Sequence, residues 1–149
     1  MKYYRGRFTP RNPSKYNGNP TTIIYRSSWE LRVMRYFDET SSIVQWSSEE
    51  LAIPYISPID GRIHRYFPDF VIKIKRDALP PSVHMIEVKP AAQSKEPTIR
   101  KRNAITKKYV TEVMTYGINQ AKWKAADEYC KDRGWQFMVI TERDLFGKK

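Results

Sequence analysis

The stretch RYFPDFVIKIKRDALPPSVHMIEVKP, residues 65–90, constrains the fold more than any other part of the chain. FVIKI and HMIEV have the length and β-branched content of strands, and both end on charge. Asp69 stands at the mouth of the first run, and Glu87 and Lys89 close the second. A sheet built only to pack would avoid two carboxylates and a lysine at those points. Glu87 and Lys89 are two residues apart, so both point to one face of their strand while Val88 points into the core. Asp69 and Glu87 lie on consecutive strands, and a hairpin-like connection brings them side by side. Converging carboxylates repel unless a cation lies between them. Oxygen ligands with room for water suit Mg²⁺, with Mn²⁺ as a substitute.

A lysine beside such a pair can orient or activate a water, or neutralise charge that develops on a phosphate. Two carboxylates, a divalent ion and a phosphate oxygen together favour phosphodiester hydrolysis. The spacing Asp-x(n)-Glu-x-Lys is short and arises by chance, so the alternative stays open: surface charge at strand ends, with Glu87 and Lys89 as a same-face ion pair.

Charge points the same way. The 149 residues carry 27 Lys and Arg against 16 Asp and Glu, a net charge of +11, and such an excess attracts polyanions, nucleic acid first. No basic amphipathic stretch suggests a membrane surface, and no apolar run reaches the length of a membrane span. The start, MKYYRGRFTP, lacks the apolar region of a signal peptide. A single cysteine, Cys130, implies a reducing compartment and reads as a small buried residue on a helix. The length suits one domain.

Residues 1–22 read as a basic N-terminal arm, without core periodicity, followed by a single domain over 23–149. The arm holds Arg5, Arg7, Arg11 and Lys15, with Tyr3, Tyr4 and Tyr16 available to stack on bases. It is either a DNA-tracking segment or a solvated tail. SSWELRVMRYFD reads as a helix with Ser27 and Glu30 in a capping box. Glu30 shares a stripe with Val33, Met34 and Phe37, so it either caps the helix or points into a site. IVQWSS reads as a short strand or a turn. LAIPYISPIDGRIHRY reads as a hairpin turned by Pro58 and Asp60-Gly61, and Pro68 ends its second strand. Two helices are expected next. One ends at Gly117, and the other presents Ile118, Ala121, Ala125 and Tyr129 and stops at Gly134. WQFMVITE supplies a last strand, parallel to its neighbour after a helical crossover. The fold class is α/β, a mixed sheet flanked by helices. His64 and His84, on different strands with no Cys beside them, lack the spacing of a metal site. The four tryptophans, 29, 46, 123 and 135, read as core.

FPDF, IEVKP and the upstream WE resemble the PD-(D/E)xK nuclease superfamily, the restriction-endonuclease-like fold with an αβββαβ core, over about residues 23–142. The tail CKDRGWQFMVITERDL is similar to the end of the N-terminal domain of transposon-end endonucleases. The arm, the YRSSWE helix and the chain size are similar to the head completion nucleases of T4-like tailed bacteriophages. The resemblance implies a metal held by Asp69, Glu87 and the Val88 carbonyl, with Glu30 completing the site directly or through water. It implies that Lys89 positions the attacking water, and that Gln120 or Lys122 contacts the scissile phosphate, unless both belong to an exposed helix face.

Double-stranded DNA is the implied partner, alongside phage head or portal proteins. The implied setting is the cytoplasm of an infected bacterium or the virion. Further phosphate contacts are expected from Arg26, Arg100, Lys101, Arg102, Lys107 and Lys108, the last five in a basic run that is otherwise a solvated loop. Two rival functions keep the fold and change the role: a non-catalytic DNA-binding head protein, and a transposition or restriction endonuclease subunit.

Overall fold

The computed structural model describes residues 5–98 and 105–146. Arg100, Lys101, Arg102, Tyr3 and Tyr4 lie outside them. A four-stranded mixed sheet forms the centre, built from β3 (Ile43–Ser48), β6 (Phe70–Ile74), β7 (Ser82–Val88) and β8 (Gln136–Ile140) in that spatial order. β3, β6 and β7 pair antiparallel, and β8 joins β7 in parallel. Helix α1 (Ser28–Glu39) precedes this sheet in the chain, and α2 (Lys107–Arg133) is the crossover between β7 and β8. The core order is therefore the expected αβββαβ.

Strand alternation gives the sheet two different faces. Phe70, Ile72, Ile86 and Val88 pack with Trp29, Val33, Met34 and Phe37 of α1 in one core. Val71, Met85 and Phe137 pack with Trp123, Ala126 and Cys130 of α2 in the other. Buried side chains on both faces explain why these strands read as nearly continuous apolar runs.

The expected hairpin exists, but it stands apart from the main sheet. β4 (Ile53–Ile56) and β5 (Ile63–Tyr66) pair only with each other, turning at Gly61 with φ +68°. Its Ile53 and Tyr66 close the second core. Pro68 separates β5 from β6, as its missing N–H requires.

Three sequence expectations are corrected. First, the described part of the arm is not a tail. β1 (Gly6–Arg7) pairs with β2 (Ile24–Tyr25), and Phe8 and Tyr16 are buried against Trp46, with ring centroids 5.8 and 4.8 Å away. Two aromatics in irregular backbone leave no periodicity to read. Tyr16 is therefore a core residue and is not free to stack on bases.

Second, Lys15 is not a phosphate contact. Its ammonium donates to the carbonyls of Phe37, Asp38 and Thr40, at 2.7, 2.9 and 2.9 Å, where α1 leaves its last carbonyls unpaired. The buried Asp38 carboxylate accepts the backbone N–H groups of Arg11 and Asn12 and so tethers the same segment.

Third, the two helices are one. α2 runs through Gly117, where the hairpin turn comes close and Pro58 packs against the helix. The buried stripe is Asn119, Ala126 and Cys130 with Trp123 packed beside it, one position off the predicted face. Gly134 does end the helix, in the left-handed conformation at φ +72°. α3 (Glu142–Phe146) follows β8.

Candidate active site

The register of β6 and β7 ends with Phe70 opposite Ile86, and one more step sets Asp69 opposite Glu87. The two carboxyls project on the α2 and hairpin side of the sheet. Backbone contacts fix Asp69: the Val88 N–H donates to its Oδ2 at 2.8 Å, and the Glu49 N–H donates to its carbonyl at 3.1 Å. Glu49 adopts φ +53°, a conformation unusual for a non-glycine residue.

Glu87 is buried, and both of its oxygens are occupied. Tyr66 donates its hydroxyl to Oε1 at 2.6 Å, and the Lys89 ammonium lies 3.6 Å from Oε2. The predicted same-face relation of Glu87 and Lys89 is thus present. Lys122 projects from α2 over the rings of Tyr66 and Tyr55, at 5.7 and 5.9 Å. That places it over the ring whose hydroxyl holds Glu87, whereas Gln120 is exposed.

Glu30 takes the capping role, and its carboxyl also lies within electrostatic reach of Glu87 and Lys89. Its N–H donates to Ser27 Oγ and its Oε1 accepts from the Arg26 N–H, so it belongs to the helix cap. The same carboxyl feels Glu87 and Lys89. Burial raises its pKa first and Glu87 adds to that, while Arg26 and Lys89 oppose the shift. Asp69 is held well above the ordinary carboxyl range, by burial first and by Glu87 second, with the Val88 amide working against both. Burial and the neighbouring Glu87 push the Tyr66 hydroxyl upward too, so it stays a donor at neutral pH.

Two facing carboxylates with Glu30 nearby are met by one lysine. Their oxygens form a hard donor set that fits Mg²⁺ or Mn²⁺. Among the described residues no three His, Cys, Asp or Glu side chains are gathered tightly enough to hold a metal by themselves. The set on offer is therefore the Asp69 and Glu87 pair, to which a metal would add oxygens from water or substrate. His64 bonds Asp60 and His84 bonds Ser82, both away from this cluster.

The other predicted contacts stand at exposed positions. Lys107 and Lys108 are exposed in the first turn of α2, where the helix dipole disfavours cations, so folding alone does not account for them. Arg5, Arg7 and Arg11 are exposed. Arg26 forms an ion pair with Glu49, beside the Asp69 anchor. Sequence reasoning missed Tyr66 and Glu49. Tyr66 is three residues before Asp69, but nothing local signals that its hydroxyl reaches across to β7.

Comparison with known proteins adds two findings. A family model described as TnsA-like endonuclease N terminal matches residues 40–142, which include Asp69, Glu87 and Lys89. The head completion nuclease of Enterobacteria phage T4 is 35% identical over 144 residues, covering 95% of this chain and 93% of the relative.

Proposed function

The chain belongs to the head completion nuclease family and carries its TnsA-like endonuclease domain, and on that footing we propose that it is a metal-dependent deoxyribonuclease of phage head completion. It hydrolyses phosphodiester bonds of packaged double-stranded DNA before head and tail join. It cuts as an endonuclease, with exonuclease action as a second mode. The observation that carries the reading is the Asp69, Glu87 and Lys89 cluster, built by a register that sets the two carboxyls opposite each other.

Asp69, Glu87 and the Val88 carbonyl would hold Mg²⁺, with Mn²⁺ as a substitute and Glu30 acting through water. A bound divalent ion would supply charge for the phosphate in the transition state and acidify a water. The chain's own groups do the rest. Tyr66 fixes the rotamer of Glu87, the Val88 N–H fixes that of Asp69, and the Lys89 ammonium orients the attacking water and offsets negative charge on the phosphorus centre. Lys122 stands where it can meet a phosphate that enters over Tyr55 and Tyr66. Lys107, Lys108 and the net charge of +11 hold the backbone of the duplex. The site of action is the infected bacterium's cytoplasm or the virion, on DNA and against head or portal proteins. No helix among the described residues is long and apolar enough to cross a membrane.

The test is cleavage of supercoiled plasmid by purified protein with Mg²⁺, with Mn²⁺ and with EDTA, beside Asp69→Ala and Lys89→Ala. Cutting that needs metal and vanishes in both folded variants supports the reading. Tight DNA binding without cutting under either metal refutes it in favour of a non-catalytic head protein.

A further inference from the structure

The outward face of the β4–β5 ribbon is apolar where a free ribbon should be polar. Pairing within the ribbon sends Ile53, Tyr55, His64 and Tyr66 to one face and Pro54, Ile56, Ile63 and Arg65 to the other. The first face packs toward α2, with Ile53 and Tyr66 buried. The second is bare: Ile56 is 65% exposed and its cross-strand partner Ile63 is 74% exposed. Arg65 lies over the ring of half-exposed Phe67, its guanidinium 5.5 Å from the centroid. Neither Arg62 nor Arg65 is ion-paired among the described residues. This strip of cation and hydrocarbon runs down β5 as far as Phe67, two residues before Asp69 in the chain.

We propose that this face is where the DNA duplex lies as it enters the site, with Arg62 and Arg65 on its phosphates and the Ile56–Ile63 pair wedged against a base step. The inference rests on the nuclease reading above and names how the substrate is gripped. A two-stranded ribbon fits a DNA groove, and apolar wedges flanked by basic residues unstack base steps. Charge selects this occupant, because unpaired arginines on a chain of net charge +11 favour a polyanion over another basic surface. Continuity selects it too, because β5 ends on Tyr66, whose hydroxyl holds Glu87, and Asp69 follows three residues later in the chain. Ile63 precedes Asp69 by six residues, so at about 3.3 Å per residue the wedge acts within roughly 20 Å, or about six base pairs, of the cleaved phosphate.

The experiment measures duplex affinity by fluorescence anisotropy, base unstacking by 2-aminopurine fluorescence, and plasmid cleavage with Mg²⁺. The proteins are wild type, Ile56→Ser/Ile63→Ser, Arg65→Ala and Asp69→Asn, each checked for its melting transition. The serine double variant should bind about tenfold or more weakly, since it loses the apolar contact that offsets the cost of unstacking. It should lose the 2-aminopurine signal and recover affinity on a duplex whose step is already opened by mismatches. Arg65→Ala should lower the slope of log affinity against log salt by about 0.9. Asp69→Asn should bind and unstack normally without cutting. If both ribbon variants bind and cut as the wild type does, the ribbon does not touch DNA and the proposal is overturned. That result leaves the nuclease reading standing. A wild type that binds DNA but never cuts it removes the nuclease reading, while the unstacking signal still decides the ribbon. A wild type that neither binds nor cuts overturns both.

Discussion

The Tyr66 hydroxyl donates a 2.6 Å hydrogen bond to Glu87 Oε1, joining the hairpin to the strand that carries the proposed metal ligand. Glu87 is therefore aimed by a residue from a different sheet. Tyr66→Phe keeps the buried ring and removes only this bond. A hydrogen bond that orients a metal ligand is worth about 10- to 100-fold in metal affinity or activity. We expect a loss of that order in nicking at limiting Mg²⁺, with substantial recovery at saturating Mg²⁺. A Mg²⁺ titration of initial rates checks this, and an unchanged titration would mean that Glu87 holds its position unaided.

Asp69 should make the metal-free protein sensitive to pH. Its pKa is raised in the folded chain from an ordinary 3.8, by burial first and Glu87 second. Between the unfolded and folded values the native state binds the extra proton, so stability falls as pH rises through that window. Asp69→Asn keeps an oxygen for the Val88 amide and abolishes the charge. In EDTA its melting temperature should match the wild type near pH 4 and exceed it at pH 8. Adding Mg²⁺ at pH 8 should raise the wild type and leave the variant unmoved. Melts at the two pH values decide it, and a variant that is less stable at pH 8 in EDTA would show that the carboxylate is not under electrostatic stress.

Lys15→Ala should affect folding and leave DNA binding alone. Its ammonium donates to three carbonyls at the end of α1. Hydrogen bonds involving a charged group are worth about 1.5–3 kcal/mol, so a loss of about 2 kcal/mol is expected in urea unfolding. The salt dependence of duplex affinity should stay the same. A flatter salt slope with normal stability would return Lys15 to the DNA.

Gly117→Ala should stabilise the protein. The glycine sits inside α2, and an added Cβ would meet Pro58 Cγ at 3.8 Å, an ordinary contact. Glycine in a helix interior costs up to about 1 kcal/mol relative to alanine, so a gain of roughly 0.5–1 kcal/mol is expected. Destabilisation would show that the helix needs to bend where the hairpin turn meets it.

The chain order of elements, the strand-end carboxylates and the same-face relation of Glu87 and Lys89 could all be read from the residues alone. Each depends on local chemistry: alternation along a strand, a turn at Asp60-Gly61, a serine cap at Ser27, a glycine stop at Gly134. What the residues alone could not decide was long-range pairing. That Asp69 faces Glu87 follows from the register of β6 on β7, and Tyr66 reaches Glu87 only because the hairpin folds against the second core. Lys15 looked like a DNA contact because an isolated lysine among basic neighbours carries no sign of the helix end it caps, 22 to 25 residues away in the chain. Gly117 looked like a stop because local propensity favours one, and packing of a single long helix outweighed it. Local rules act over a few residues, whereas the partner of a buried polar group is chosen by whatever the whole chain brings within about 3 Å of it.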